Sequence, residues 1–231
     1  MSKAFFVTGT DTGVGKTFAS CAMLEAAKSK GLSTMALKPV AAGAEIVDER
    51  KTNEDALQLQ AHMSLELPYE QINPVVLDAP TSPHIAAHIE GRKVDASRLL
   101  GYCRGALLNR PDFALVEGAG GWRVPINNRE TLADLAKLLD LPVILVVSLK
   151  LGCLNHAMLT AEAIRRDGLT LAGWLGNRVG SEEMPHEADN IATLKSALGA
   201  PMIGCLPFSD DKGESQPKSV CKFIDLACLD L

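Results

Sequence analysis

The chain has 231 residues, 47% of them hydrophobic and 22% charged, the balance of an ordinary globular protein. Its formal net charge is −5 with no Lys/Arg cluster, which argues against a nucleic-acid surface, and no run of about 18 apolar residues exists to form a membrane helix. The length fits one α/β domain over residues 1–231, able to bury roughly 70% of the surface its unfolded form exposes without help from disulfides. Cys21, Cys103, Cys153, Cys205, Cys221 and Cys228 form no CxxC pair, so reduced thiols in a cytoplasmic setting are expected. The chain enters an apolar strand by Ala4, which leaves no room for a signal peptide.

Short apolar runs alternate with stretches of helical period. Strands are expected at Ala4–Thr8, Ser33–Leu37, Val75–Leu77, Phe113–Glu117, Pro142–Ser148, Leu169–Leu175 and Met202–Leu206. Helices are expected at Gly15–Lys30, Asn53–Met63, Ala96–Leu108, Leu132–Leu139, His156–Arg166, Pro185–Leu198 and Val220–Leu229. Strands as continuously apolar as Val143–Val147 belong inside a parallel sheet covered on both faces. The alternation predicts a single doubly wound, mainly parallel α/β sheet with helices on both faces, whose ligands bind at the carboxyl ends of the strands. Ser209–Lys218 reads as a polar loop.

The motifs fall at those strand ends. Gly9-Thr-Asp-Thr-Gly-Val-Gly-Lys-Thr17 follows a strand and opens a helix, the arrangement of a P-loop. Backbone N–H groups around Gly13, Val14 and Gly15 can converge on a phosphate while the helix dipole adds positive potential. Lys16 can neutralise the β and γ phosphates, and the Thr17 hydroxyl can take a place on Mg²⁺. Five residues separate Gly9 from Gly15, one more than the usual spacing. No NKxD strand end marks the chain for guanine, whereas Asn177, after the strand Leu169–Leu175, carries an amide able to read a purine edge.

Glu117 closes an apolar strand before Gly118, Ala119 and Gly120, which keep space clear for a ligand. It is the leading Mg²⁺ carboxylate, with Asp11 and Asp55 as further candidates. Lys38 ends the second strand on the same rim, placed for an anion or for developing negative charge. Lys150 to Asn155 precedes a helix whose free N–H groups suit a carboxylate. Thr81 to His84 is a polar turn able to line the same cleft, and His84 with His88 lacks a third metal ligand.

Taken together, these segments resemble the dethiobiotin synthetase family. The matching pieces are GTDTGVGKT at 9–17, KPVAAG at 38–43, NEDALQLQ at 53–60, NPVVLDAPTSPH at 73–84, VEGAGGW at 116–122, KLGCLNHAMLTA at 150–161 and LTLAGWLGN at 169–177. The resemblance implies a P-loop NTPase-like fold and an ATP-dependent cyclo-ligase that makes a cyclic urea from CO₂ and 7,8-diaminopelargonic acid. It implies Lys16, Lys38 and Thr12 at the reacting groups, and Thr17, Asp55 and Glu117 at Mg²⁺. It places adenine against Asn177, Arg178 and the turn Pro207, Phe208, Ser209. It also implies a homodimer, with the substrate's tail carboxylate held by amides of Leu151, Gly152, Cys153, Leu154 and Asn155 of the partner subunit. Many members carry Ser where Ala42 stands, which removes one substrate contact. A diverged paralogue acting on a related diamine, or a nucleotide switch whose hydrolysis drives partner binding, are the alternatives.

Overall fold

The computed structural model describes residues 3–182, 184–208 and 216–231. The first half of the chain runs β1 (Lys3–Gly9), α1 (Lys16–Ser29), β2 (Thr34–Leu37), β3 (Val40–Ala42), β4 (Glu45–Val47), β5 (Arg50–Thr52), α2 (Glu54–His62), α3 (Tyr69–Ile72), β6 (Val75–Leu77), α4 (Pro83–Ile89) and α5 (Ala96–Leu107). The second half runs β7 (Phe113–Gly121), α6 (Leu132–Leu139), β8 (Val143–Ser148), α7 (Cys153–Arg166), β9 (Leu171–Asn177), α8 (Glu187–Ala197), β10 (Met202–Leu206) and α9 (Pro217–Val220).

Six strands form one parallel sheet in the order β10-β9-β8-β1-β7-β2. From β1 the chain winds to one side through β2 and later to the other through β8. This reversal opens a crevice at the carboxyl end of β1, where such sheets bind ligands. All six residues of β8 are buried, and β-branched Val143, Ile144, Val146 and Val147 suit a strand covered on both faces. Helix α1 packs against β1, β2 and β7, and α7 against β8 and β9. The alanines of α1 (Ala19, Ala22, Ala26, Ala27) let it sit close to the sheet, with α2 and α9 covering its outer side. Phe6 of β1 meets Trp122 edge-on at 6.1 Å, which ties the centre of the sheet to the segment after β7.

Two small sheets stand beside the main one: β3 pairs with β6 in parallel, and β4 with β5 as a hairpin. Neither β3 nor the hairpin was anticipated, because three-residue strands carry too little periodicity. The hairpin turn has positive φ at both Asp48 (48°) and Glu49 (63°), the signature of a type I′ turn without its usual glycine.

The expected helix at Val220–Leu229 does not form as one piece. After α9 come two 3₁₀ turns, Cys221–Phe223 and Leu226–Leu229, separated by extended Ile224. The open edge of β10 captures this segment. Gly204 bridges Ile224, and the Asp225 amide donates to Ile203 O at 2.8 Å. Unpaired strand-edge groups thus outweigh local helical preference. Helix α7 begins at Cys153, three residues before the expected start at His156, because Gly152 in the left-handed region (φ 95°) caps it.

Phe6 is 1% exposed. Phe6→Ala is expected to lower the unfolding free energy by about 3–5 kcal/mol in urea titration, and a loss under about 1 kcal/mol would show that this ring does not anchor the core.

Candidate functional site

The loop between β1 and α1 is shaped by its glycines. Gly15 caps α1 with φ 80°, and a Cβ there would run into Nδ2 of Asn177. Only glycine satisfies both the backbone angle and the close approach. Asn177, at the end of β9, donates from Nδ2 to Val14 O at 2.9 Å and so braces the loop from behind. Its Oδ1 is buried with no partner among the described residues. Of the amide expected to read a purine edge, the nitrogen thus serves the loop, and the oxygen has no partner among the described residues.

Lys16 and Thr17 open α1 beneath the loop, both largely buried. Burial lowers the Lys16 ammonium to about 8, and the charge of Lys38 adds to the effect. Thr12 is held by its own amide donating to Asp11 Oδ1 at 2.7 Å. Gly120, at φ 63°, lies against the Thr12 hydroxyl, so any Cβ there would crowd it and Val124.

Beneath the loop lies a buried ionic cluster. Glu117, in β7 next to β1, is 0% exposed. Its Oε1 accepts from Thr17 Oγ1 and from Lys38 Nζ, each at 2.8 Å, and its Oε2 accepts from Ser20 Oγ at 2.7 Å. Lys38 Nζ also donates to Asp55 Oδ2 at 2.7 Å and to Gly118 O at 3.3 Å. Burial alone would pull the Lys38 ammonium down, yet the Glu117 and Asp55 charges hold it above the usual lysine value. Burial would likewise raise Asp55, but Lys38 holds it below the usual carboxylate range. The lysine therefore stays charged, two carboxylates converge on it, and the Thr17 and Ser20 hydroxyls satisfy Glu117 from the other side.

Lys38, Asp55 and Thr17 face a cavity of about 620 Å³ at the carboxyl ends of β1, β2 and β7, and Glu117 lies buried behind them. Thr12, Gly13, Gly15, Lys16, Thr17, Lys38, Ala42, Asp55, Ala119 and Gly120 line it, together with Thr81, Ser82 and Pro83. The remaining expected residues lie elsewhere. Arg178 forms an ion pair with Glu187, Nη2 to Oε1 at 2.5 Å. Pro207 and Phe208 follow β10, and Ser209 lies outside the described residues. Leu151, Gly152, Cys153, Leu154 and Asn155 form the amino end of α7, with Leu151 91% exposed. His84 bonds to Ser82 through Nδ1 at 2.9 Å.

Sequence reasoning missed Ser20 and Asn53. Ser20 follows Thr17 by three positions on α1, so the helical repeat sets both hydroxyls on the face toward Glu117. Asn53 lines the cavity through a side chain whose Nδ2 faces the carbonyls of Gly43 at 3.3 Å and Ala42 at 3.4 Å.

A family model described as an AAA domain matches residues 3–216. Among solved structures, the septum site-determining protein MinD of Pyrococcus horikoshii, complexed with Mg-ADP, aligns with TM-score 0.57 at 19% identity, over 90% of this chain and 82% of that one. A ParA family ATPase from Chlorobium tepidum gives TM-score 0.57 at 12% identity over the whole of both chains. Those likenesses establish the fold alone. The ATP-dependent dethiobiotin synthetase BioD of Marinobacter nauticus is 50% identical over 226 residues, 97% of each chain. That of Cellvibrio japonicus is 56% identical over 205 residues, 89% of each. BioD 1 of Escherichia coli K12 is 48% identical over 229 residues, 99% of this chain and 100% of that one. With half its residues shared along nearly its full length, the chain belongs to the ATP-dependent dethiobiotin synthetase family.

Proposed function

We propose that this protein uses ATP and CO₂ to close the cyclic urea of dethiobiotin on 7,8-diaminopelargonic acid. The observation that carries the reading is the shared cavity: the phosphate loop and the buried Lys38 ammonium face the same 620 Å³ space. One substrate amine attacks CO₂ and loses a proton, forming a carbamate. A carbamate oxygen then attacks the γ-phosphorus, breaking its bond to ADP and forming a carbamic-phosphoric anhydride. The second amine attacks the carbonyl carbon, expels phosphate, and loses its proton as the ring closes. No protein nucleophile is needed, so positioning and electrostatics supply the rate.

In this reading the amides of Gly13, Val14 and Gly15 grip the phosphates and Lys16 balances their charge. Lys38 steadies the carbamate, and Thr12 stands beside the transferring group. Thr17, Asp55 and Glu117 fit Mg²⁺: they offer hard oxygen donors, both carboxylates already meet one cation, the Lys38 ammonium, and the Thr17 hydroxyl bonds to Glu117. Among the described residues no group of three or more His, Cys, Asp and Glu can hold a metal ion. Phosphate oxygens and water would complete the coordination, as is usual for Mg²⁺. When bound, the ion would supply Lewis-acid stabilisation of the charge that develops on the phosphates.

The orphan Oδ1 of Asn177 suits the exocyclic amine of adenine, and Pro207 and Phe208 follow Leu206, which pairs with Asn177 across β9 and β10. Arg178 serves by bracing α8 through Glu187 and keeping the β9 end in place. A homodimer is supported by exposed apolar side chains, Met158 and Leu159 on α7 and Leu151 just before its cap, beside the helix end proposed to bind the partner's substrate carboxylate. Ala42 offers the substrate only a methyl, at a cost of about 1 kcal/mol relative to a hydroxyl contact. Free thiols and a biosynthetic role support a reducing cytoplasm.

With ATP, Mg²⁺, diaminopelargonic acid and labelled bicarbonate, label is expected in a cyclic urea, and its absence would sink the proposal. Lys38→Ala should abolish incorporation while the affinity for ADP, by calorimetry, is retained; near-normal incorporation would remove Lys38 from the chemistry. Lys16, at about 8, loses its proton as pH rises through that value. ATP affinity should therefore fall above it, and binding there should take up a proton, read as a dependence of the calorimetric heat on buffer ionisation. A flat affinity across this range would show that Lys16 does not meet the phosphates.

A further inference from the structure

A chain of buried hydrogen bonds leaves the backbone of Lys38 and returns to its side chain. The Lys38 carbonyl accepts from Asn73 Nδ2 at 2.6 Å. Asn73 Oδ1 accepts from the Tyr69 hydroxyl at 2.9 Å, one turn apart across the short helix α3. The Tyr69 oxygen in turn accepts the backbone N–H of Asn53 at 2.7 Å, at the amino cap of α2. Two residues on, Asp55 reaches Lys38 Nζ at 2.7 Å and closes the circuit. Backbone bonds reinforce it: the Lys38 amide donates to Ile72 O at 2.8 Å, and the Asn73 amide to Tyr69 O at 2.8 Å.

Neither Tyr69 nor Asn73 lines the cavity, and both are buried. A tyrosine in a purely packing role would lose nothing by becoming phenylalanine. Here the hydroxyl ties α3 to the α2 cap, and it both donates and accepts. The same cap residue, Asn53, donates from Nδ2 to the carbonyls of Ala42 and Gly43, so the circuit also braces the wall at β3.

We propose that Tyr69 and Asn73 are positioning residues for ring closure, holding Lys38 and Asp55 in register through a relay that never touches substrate. The proposal rests on the reaction given above. The phosphate loop shares no residue with the relay, so phosphate binding and catalytic alignment are separable.

The test is Tyr69→Phe in the full chain. Because misalignment of reacting groups can cost up to about a hundredfold, kcat for label incorporation is expected to fall about 10- to 100-fold, with the Kd for ADP changed less than about twofold. In an Asp55→Asn background the same change should cost much less, since the relay acts through Asp55. If Tyr69→Phe does not fold, Asn73→Ala opens the circuit at the next link and should give the same pattern. An unchanged kcat in a folded variant, or effects that add fully with Asp55→Asn, would overturn the relay. Failure of the wild-type protein to incorporate label would instead overturn the reaction, and the two failures are thus distinct.

Discussion

A single ammonium group, that of Lys38, sits out of water between two carboxylates. Burying a charge costs several kcal/mol, and the cost is recovered only when partners of opposite sign and good geometry are brought along. Lys38 has Glu117 and Asp55 at 2.8 and 2.7 Å. Glu117, itself fully buried, needs the Thr17 and Ser20 hydroxyls as well. Four segments must meet at one point to satisfy these groups: the end of β2, the middle of β7, the start of α1 and the first turn of α2. Removing any of them leaves a buried charge short of a partner or a hydrogen bond, so the cluster enforces the arrangement that surrounds it.

The sheet makes that meeting possible. Because β7 lies between β1 and β2, the acid of β7 stands beside the loop that follows β1 and beside the lysine that ends β2. Helix α1 fits against these three strands through small side chains, and its first turn carries Lys16, Thr17 and Ser20 into the crevice. The glycine loop and the ionic cluster therefore share one rigid base.

Much of this was readable from the chain. Glycine spacing before Lys16 and Thr17, the lone carboxylate of Glu117 at the end of an apolar run, and Lys38 at the end of another are local signals, and the parallel sheet follows from alternating periods. Other features depend on contacts no local pattern encodes. Asn177 stands 163 positions from the Val14 carbonyl it braces, so its amide reads equally well as a ligand contact. Arg178 is committed to Glu187, a partner visible only once β9 and α8 are placed. The segment Val220–Leu229 has helical period but lies against the open edge of β10, where backbone pairing wins. Tyr69 and Asn73 look like ordinary members of a short loop, and their link to Lys38 spans 35 positions.

The β3–β6 pair is hydrogen-bonded separately from the six-stranded sheet, and Ala42 lies at its end on the cavity wall. The molecule is thus divided in its capacity to change. Residues of the main sheet, of α1 and most of the small sheet are locked by mutual burial, whereas Ala42 is only partly buried. A different side chain at position 42 would therefore reshape the cavity wall without touching a hydrogen bond of the six-stranded sheet.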